Sequence, residues 1–270
     1  MINIAVTGAG GRMGRAIINA IAGNSQVKLS GALERDGSPF LGKDAGEMAA
    51  AGKMDVRITG SIEKAIKKAD VIIDFSAPDA TMKTLEAAVE DRVSMVIGTT
   101  GISHHQRERI KELSDRIRIV MAPNMSIGVN LLLKLVADAA RILGDDYDVE
   151  IVEAHHRHKK DAPSGTAIRI AEVVAASLDR DFENVAVYER KGIIGERRPE
   201  EIGIQTVRAG DIVGDHTVIF GGIGERVEIV HKASSRATFA MGAVKAAVWL
   251  SERPNGLYDM QDVLGFKAHP

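Results

Sequence analysis

A 270-residue chain that is 45% hydrophobic and 27% charged has ordinary globular composition, long for one core and sufficient for two modest domains. Its formal net charge of −2 and pI near 6.5 argue against general attraction to nucleic acid or an anionic membrane, and the absence of cysteine removes disulfides, cysteine zinc sites and thioester-forming oxidoreductases together. The longest apolar runs, such as Leu131-Leu132-Leu133 before Lys134, are too short for a bilayer, and Met1-Ile2-Asn3-Ile4 lacks a charged leader region, so the expected location is the cytoplasm.

The chain opens with a short apolar strand, Ile2-Asn3-Ile4-Ala5-Val6, followed by Gly8-Ala9-Gly10-Gly11-Arg12-Met13-Gly14 and a helical pattern carried by Ala16, Ile17, Ile18 and Ile21. Strand, glycine turn and helix make the arrangement that binds a dinucleotide, with backbone amides meeting the pyrophosphate at the helix start. The spacing is that of Gly8, Gly11 and Gly14, and Met13 stands where the common fingerprint has its last small residue. A second strand, Val27 to Leu33, ends at Glu34, where an acidic residue bonds the adenosine ribose hydroxyls. Arg35 beside it offers a partner for adenine or a 2′-phosphate, so the pair predicts tolerance of both NADH and NADPH.

Strand and helix then alternate. Ser61 caps a short helix with Glu63 and Lys67 one turn apart, Val71-Ile72-Ile73-Asp74-Phe75 is a buried strand, and Pro78 opens the next helix. Met95-Val96-Ile97 runs into Gly98-Thr99-Thr100-Gly101, Ser103 and Gln106 form a capping box for a helix through Leu113, and Ile117 to Met121 is a further strand. Alternation of this kind predicts a Rossmann-like, doubly wound parallel sheet of the α/β class. Its ligands lie beyond the carboxyl ends of the strands, which places Phe75-Ser76, Gly98-Thr99-Thr100 and Ala122-Pro123-Asn124-Met125 on the nicotinamide side.

After Asn124 the pattern changes. An amphipathic helix from Val129 to Leu143 precedes strand-like runs at 149–153, 185–188, 202–208, 216–220 and 226–231, which predict a mixed or antiparallel sheet with one covered face. The segment Glu189 to Glu201, rich in Gly, Arg and Glu, reads as a long loop able to reach a neighbouring subunit. A helix from about Ala237 to Leu250 is expected to return to the first domain. The predicted organisation is therefore a discontinuous dinucleotide-binding domain, 1–126 and 235–270, and a smaller α+β domain for substrate and oligomerisation, 127–234, with hinges near Ser126 and Ser234.

The second domain carries the densest chemistry: Glu153-Ala154-His155-His156-Arg157-His158-Lys159-Lys160-Asp161-Ala162-Pro163-Ser164-Gly165-Thr166, which runs into a helical pattern. So many cationic or protonatable groups repel unless an anion sits among them, and imidazole beside lysine suits proton transfer to a bound anion. The Pro-Ser-Gly-Thr turn either caps the helix through Ser164 or Thr166, or presents backbone amides to a carboxylate with Gly165 allowing close approach. A substrate bearing carboxylates follows. A metal-dependent enzyme using His156 and His158 is the competing reading within catalysis, disfavoured by the flanking cations, so no metal ligand is assigned. A non-catalytic NAD(H)-binding redox sensor is the reading from another class.

These motifs, with Asp74-Phe75-Ser76 and His231-Lys232-Ala233-Ser234-Ser235-Arg236, resemble the dihydrodipicolinate reductase family nearly end to end. The resemblance implies an NAD(P)H-dependent reduction of 4-hydroxy-tetrahydrodipicolinate to tetrahydrodipicolinate, in diaminopimelate and lysine biosynthesis, by a homotetramer. It further implies that His155 donates or accepts a proton, that Lys159 is the other proton donor, that His156 contacts the substrate and that Gly165 and Thr166 bind a substrate carboxylate. Gly8, Ala9, Gly10, Gly11, Arg12, Met13, Glu34, Arg35, Gly98, Thr99, Thr100, Ala122, Pro123, Asn124 and Met125 carry over as cofactor contacts, and Arg236 as a weaker candidate at the substrate or hinge.

Overall fold

The structure, a computed structural model, describes residues 1–267 and divides into two compact units, residues 1–127 with 236–267 and residues 128–235. In the first unit β1 (Ile2–Thr7), α1 (Arg12–Ala22), β2 (Val27–Leu33), α2 (Ala45–Met48), β3 (Ile58–Thr59), α3 (Ile62–Ile66), β4 (Val71–Asp74), α4 (Pro78–Glu90), β5 (Ser94–Ile97), α5 (His104–Leu113) and β6 (Arg118–Met121) succeed one another. The helix α6 (Ile127–Leu143) leads into β7 (Asp148–His155), α7 (Gly165–Ser177), α8 (Phe182–Val185), β8 (Ala186–Val187), β9 (Ile202–Arg208), β10 (Gly214–Gly221) and β11 (Arg226–Ala233). The chain then re-enters the first unit with α9 (Ala237–Leu250), β12 (Gly256–Tyr258) and α10 (Met260–Val263).

The first sheet is wholly parallel in the order β12-β6-β5-β4-β1-β2-β3. Its central strands β4 and β5 are buried at every position, as strands covered on both faces must be. Successive side chains alternate between two cores. Ile4, Val6, Val71, Ile73 and Val96 pack with α1 and α9, whereas Ala5, Ile72, Met95 and Ile97 pack on the other face with residues of α4 and α5. Gly14, Ile17, Ile18 and Ile21 are the buried stripe of α1, the spacing that turns one helical face to the sheet. Strand order reverses at β1, flanked by β2 and β4, so the crevice at the carboxyl ends of β1 and β4 is the topological switch point.

The second unit holds a mixed sheet, β11-β10-β7-β9-β8, with β7–β9 and β8–β9 parallel and the other pairs antiparallel. One face packs on α6 and α7 through Val149, Ile151, Val218, Phe220, Ile202 and Ile204. Alternation along β7 and β10 follows the expected one-face-covered pattern.

Several sequence expectations differ in detail. Val185 ends a short helix rather than beginning a strand, because Asp181 caps the turn by accepting from Glu183 N and Asn184 Nδ2. Lys67 falls just outside α3, and Glu63 instead accepts from the Ser61 hydroxyl at 2.7 Å. The segment 189–201 is a loop, as expected, and within it Arg190 and Arg197 both bond Glu150 of β7, while Arg197 also reaches Asp148. Where the chain leaves and re-enters the first unit, the hydroxyls of Ser126 and Thr238 lie 3.3 Å apart.

Candidate active site

Two groups of the predicted residues are assembled, one in each unit. In the first, Gly8 takes a left-handed φ of 61°, and a methyl group on Gly14 would lie 2.2 Å from the Gly8 carbonyl oxygen, so these two positions require glycine for turn and close packing. Gly11 stands at the start of α1 with no side chain capping the helix and no acidic residue in its first turn. A helix start left open in this way is suited to a pyrophosphate. Glu34 follows β2 and accepts from Gly10 N at 2.9 Å, which joins the end of β2 to the glycine turn, and Arg35 beside it is exposed. Arg12 is exposed, Met13 half-buried and Ala9 buried against the sheet.

The other strand ends are organised by Asp74. Its buried Oδ1 accepts from Ser76 N at 2.9 Å, from the Ser76 hydroxyl at 2.7 Å and from the Thr99 hydroxyl at 2.9 Å, with the Thr81 hydroxyl at 3.0 Å. Thr99 thus spends its side chain inside the protein, and the Gly98-Thr99-Thr100 turn is held to β4 with backbone left for a ligand. The Phe75 ring lies against Gly98, where a methyl group would come within 2.2 Å of it. Ala122 N donates to Ile97 O at 3.1 Å, Asn124 Oδ1 accepts from Ser126 N at 2.9 Å, and Met125 is fully buried with Gly242 of α9 against its carbonyl. This unit therefore fits a nicotinamide dinucleotide at the switch point.

In the second unit the covered face of the sheet turns from apolar to polar along β7. The inward positions run Val149, Ile151, Glu153, His155, opposite His216 of β10 and Thr206 and Arg208 of β9. Glu153 is fully buried, and its oxygens accept from Arg208 Nη1 and Nη2 at 2.8 Å each, from Ser164 N at 2.9 Å and from Thr206 Oγ1 at 3.3 Å. His155 Nδ1 lies 2.6 Å from Glu153 Oε2. Burial pushes the Glu153 carboxyl up, but the bonds from Arg208, His155 and Ser164 N outweigh it and hold the group below the usual carboxylate range.

Ser164 is the N-cap of α7: its hydroxyl accepts from Ala167 N at 3.1 Å and lies 3.1 Å from His216 Nε2. Gly165 opens the helix on the exposed side, with nothing within 4 Å of where a side chain would start, and Thr166 follows half-buried. Burial, reinforced by the neighbouring His155, lowers His216 to about 4 and leaves it neutral near pH 7. The loop after β7 is tied to the β9–β10 connection by Ala209 N to His155 O at 2.9 Å and Arg157 N to Gly210 O at 3.2 Å. Lys159 Nζ pairs with Asp161 at 2.8 Å, so the anions among these cations are in part the protein's own Asp161 and Glu153.

The sequence pointed to His155, His156, Lys159, Gly165 and Thr166 but gave no role to Glu153, Arg208 or His216. Strand alternation held the signal for Glu153, since continuing the inward register from Val149 and Ile151 buries a carboxylate that must be paired. His156 and His158 have ring centroids 6.3 Å apart, and among the described residues no group of three or more His, Asp or Glu is placed to hold a metal ion. Nor, among the described residues, is any helix long and apolar enough to cross a membrane.

Comparison with known proteins agrees with this geometry. The family model described as dihydrodipicolinate reductase, N-terminus, matches residues 2–125, and that described as dihydrodipicolinate reductase, C-terminus, matches residues 128–264. The chain is 55% identical over 267 residues to a 4-hydroxy-tetrahydrodipicolinate reductase of Syntrophotalea carbinolica, covering 99% of this chain and 100% of the relative. It is 54% identical over 266 residues to the protein of the same description from Nitrosospira multiformis, covering 98% of each. Among solved structures, dipicolinate-bound dihydrodipicolinate reductase from Paenisporosarcina superposes with a TM-score of 0.76 at 25% identity, over 97% of this chain and 98% of that one. An open helix start at the switch point of a parallel sheet, a protonatable cluster at the end of β7 and matches running the length of the chain have one reading: this protein belongs to the dihydrodipicolinate reductase family, NAD(P)H-dependent oxidoreductases.

Proposed function

We propose that the chain reduces 4-hydroxy-tetrahydrodipicolinate to tetrahydrodipicolinate with NADH or NADPH, acting as a homotetramer in the cytoplasm on the diaminopimelate route to lysine. The first unit holds the cofactor through residues 8–13, Glu34 and Arg35, 98–100 and 122–125, and the second binds the dicarboxylate. The observation that carries this reading is the tie from Glu153 to both the His155 ring and the start of α7. One carboxylate of the ring is received by the backbone of Gly165 and Thr166 at the positive end of α7, with His156 as a further contact.

Bound nicotinamide supplies the hydride. Electron density then gathers at the ring nitrogen or the adjoining carbon, where the Lys159 ammonium stabilises and protonates it, and His155 accepts a proton at its free nitrogen or, once protonated there, donates one. Lys159 is freed for this role as the substrate's negative charge competes with Asp161 for its ammonium. Self-association is supported by the sheet face turned away from α6 and α7, where Val207 is 42% and Val230 48% exposed.

The test is turnover of freshly generated hydroxytetrahydrodipicolinate with each cofactor, followed by loss of the reduced nicotinamide absorbance. Lys159→Ala is expected to lower kcat by about 100-fold or more while leaving cofactor affinity intact. Failure to oxidise either cofactor in the presence of substrate would remove the proposal.

A further inference from the structure

We infer that Glu153 is the positioning residue of this site: it fixes which nitrogen of His155 exchanges a proton, and by the same carboxylate ties that ring to the helix start that receives the substrate. The inference rests on the reading of His155 given above and extends it to groups that touch no substrate.

The donor count decides the tautomer. The ionised carboxylate of Glu153 has only lone pairs to offer, so the 2.6 Å contact with His155 Nδ1 requires the proton to be on Nδ1. Proton exchange then takes place at Nε2 alone. That nitrogen lies beside Gly214 of β10, where a methyl group would come within 3.0 Å of it, so the missing side chain keeps Nε2 open to approach. His216 meets the His155 ring edge-on at 5.3 Å and, being neutral near pH 7, does not compete for the proton.

Arg208 completes the device. A carboxylate buried beside an imidazole without a fixed cation would be free to take the proton itself, which would scramble the tautomer. The guanidinium on β9 grips both Glu153 oxygens, Nη1 on Oε2 and Nη2 on Oε1, and also bonds the Asp161 carbonyl at 2.7 Å. Arg208 therefore locks the carboxylate in its ionised form and orientation. Oε1, turned to Ser164 N at 2.9 Å, anchors the N-terminus of α7, while Oε2 serves His155. A buried carboxylate divided in this way sets the distance between proton and anion sites by one rigid planar group.

Glu153→Gln separates the two tasks. Its single oxygen stays with Ser164 N and Arg208, so its amide NH2 faces His155 Nδ1 and demands the opposite tautomer. In protein labelled with ¹⁵N-histidine, with His155→Gln supplying the assignment, the unaltered enzyme is expected to show the Nδ1–H form of His155 and Glu153→Gln the Nε2–H form. In turnover, Glu153→Gln is expected to lose about 100-fold in kcat with little change in KM for either substrate or cofactor. An Nε2–H tautomer in the unaltered enzyme, or a kcat for Glu153→Gln within about threefold of it, would overturn the inference. If Glu153→Gln does not fold, the spectrum of the unaltered enzyme decides alone. An unaltered enzyme that shows the Nδ1–H form yet turns over no substrate refutes the proposed function and leaves the tautomer assignment standing.

Discussion

Ser164 Oγ, which caps α7, lies 3.1 Å from Nε2 of His216, a ring only 3% exposed. The hydroxyl already accepts from Ala167 N, so its own proton is available to His216, and the bond favours neutral imidazole. Burial and the nearby His155 lower His216 from 6.5 to about 4. The folded state therefore binds fewer protons than the unfolded chain between those values. Stability from this group is complete above about 6.5 and is lost as pH falls towards about 4, on the order of 3 kcal/mol. His231, lowered chiefly by burial, acts in the same direction, and Glu153, held below 4.5, adds a further loss at lower pH. Urea midpoints measured across this range are expected to fall less steeply in His216→Gln than in the unaltered protein. Equal slopes would show that His216 is not buried as a neutral ring.

Glu34 bonds the Gly10 amide, and under the proposed function it bonds the adenosine ribose, so Glu34→Ala is expected to weaken NADH more than NADPH, about tenfold against threefold. The 2′-phosphate of NADPH takes the place of one hydroxyl that the carboxylate would bond, and in the proposed function Arg35 is the partner of that phosphate. Fluorescence titration of both reduced cofactors measures the difference. An equal loss for both would leave Glu34 the single task of bracing the glycine turn.

Asp74 is fully buried and collects three neighbouring hydroxyls and one backbone amide at the carboxyl end of β4. Asp74→Ala leaves those donors without their acceptor, which is expected to cost about 3 kcal/mol. Because Thr99 is among them, cofactor affinity should fall along with thermal stability. Thr99→Val, which keeps the shape and removes one donor, should lower affinity with a smaller change in melting temperature. Unchanged cofactor binding in both variants would disconnect the network from the nucleotide site.

Gly14→Ala places a methyl group against the Gly8 carbonyl, a backbone atom that cannot swing aside as a side-chain tip would. The expected result is a loss of about 1–3 kcal/mol in stability and a KM raised about tenfold for both cofactors, since the helix start and glycine turn separate together. Thermal denaturation and steady-state kinetics check the two effects in one preparation. A variant of normal KM would mean that α1 is not fixed by this contact.

The parts of the fold legible in the sequence were those in which local signals agreed with tertiary demands. The alternating sides of Ile4, Ala5 and Val6, the capping box of Ser103 and Gln106 and the bounds of α9 were all present in pattern alone. Strands of two or three residues, β3 and β12, escaped notice because so short a run carries no period, and they exist by pairing with β2 and β6. The cluster from His155 to Thr166 was conspicuous by residue type. Its supports were not, for Arg208 and His216 arrive from β9 and β10, and only the register of the mixed sheet brings them beside Glu153. A carboxylate's partners across strands are a property of pairing, which the order of residues does not spell out.

The hydroxyls of Ser126 and Thr238 meet at 3.3 Å although the residues are 112 positions apart in sequence. An excursion whose two ends touch asks nothing of its host's topology. Were the stretch between them exchanged for a short link, α9 would still lie along β4, β5 and β6, and the parallel sheet would keep every neighbour it has. The nucleotide-holding half is in this sense a socket, able to retain its own architecture while the inserted half is rewritten to grasp a different molecule.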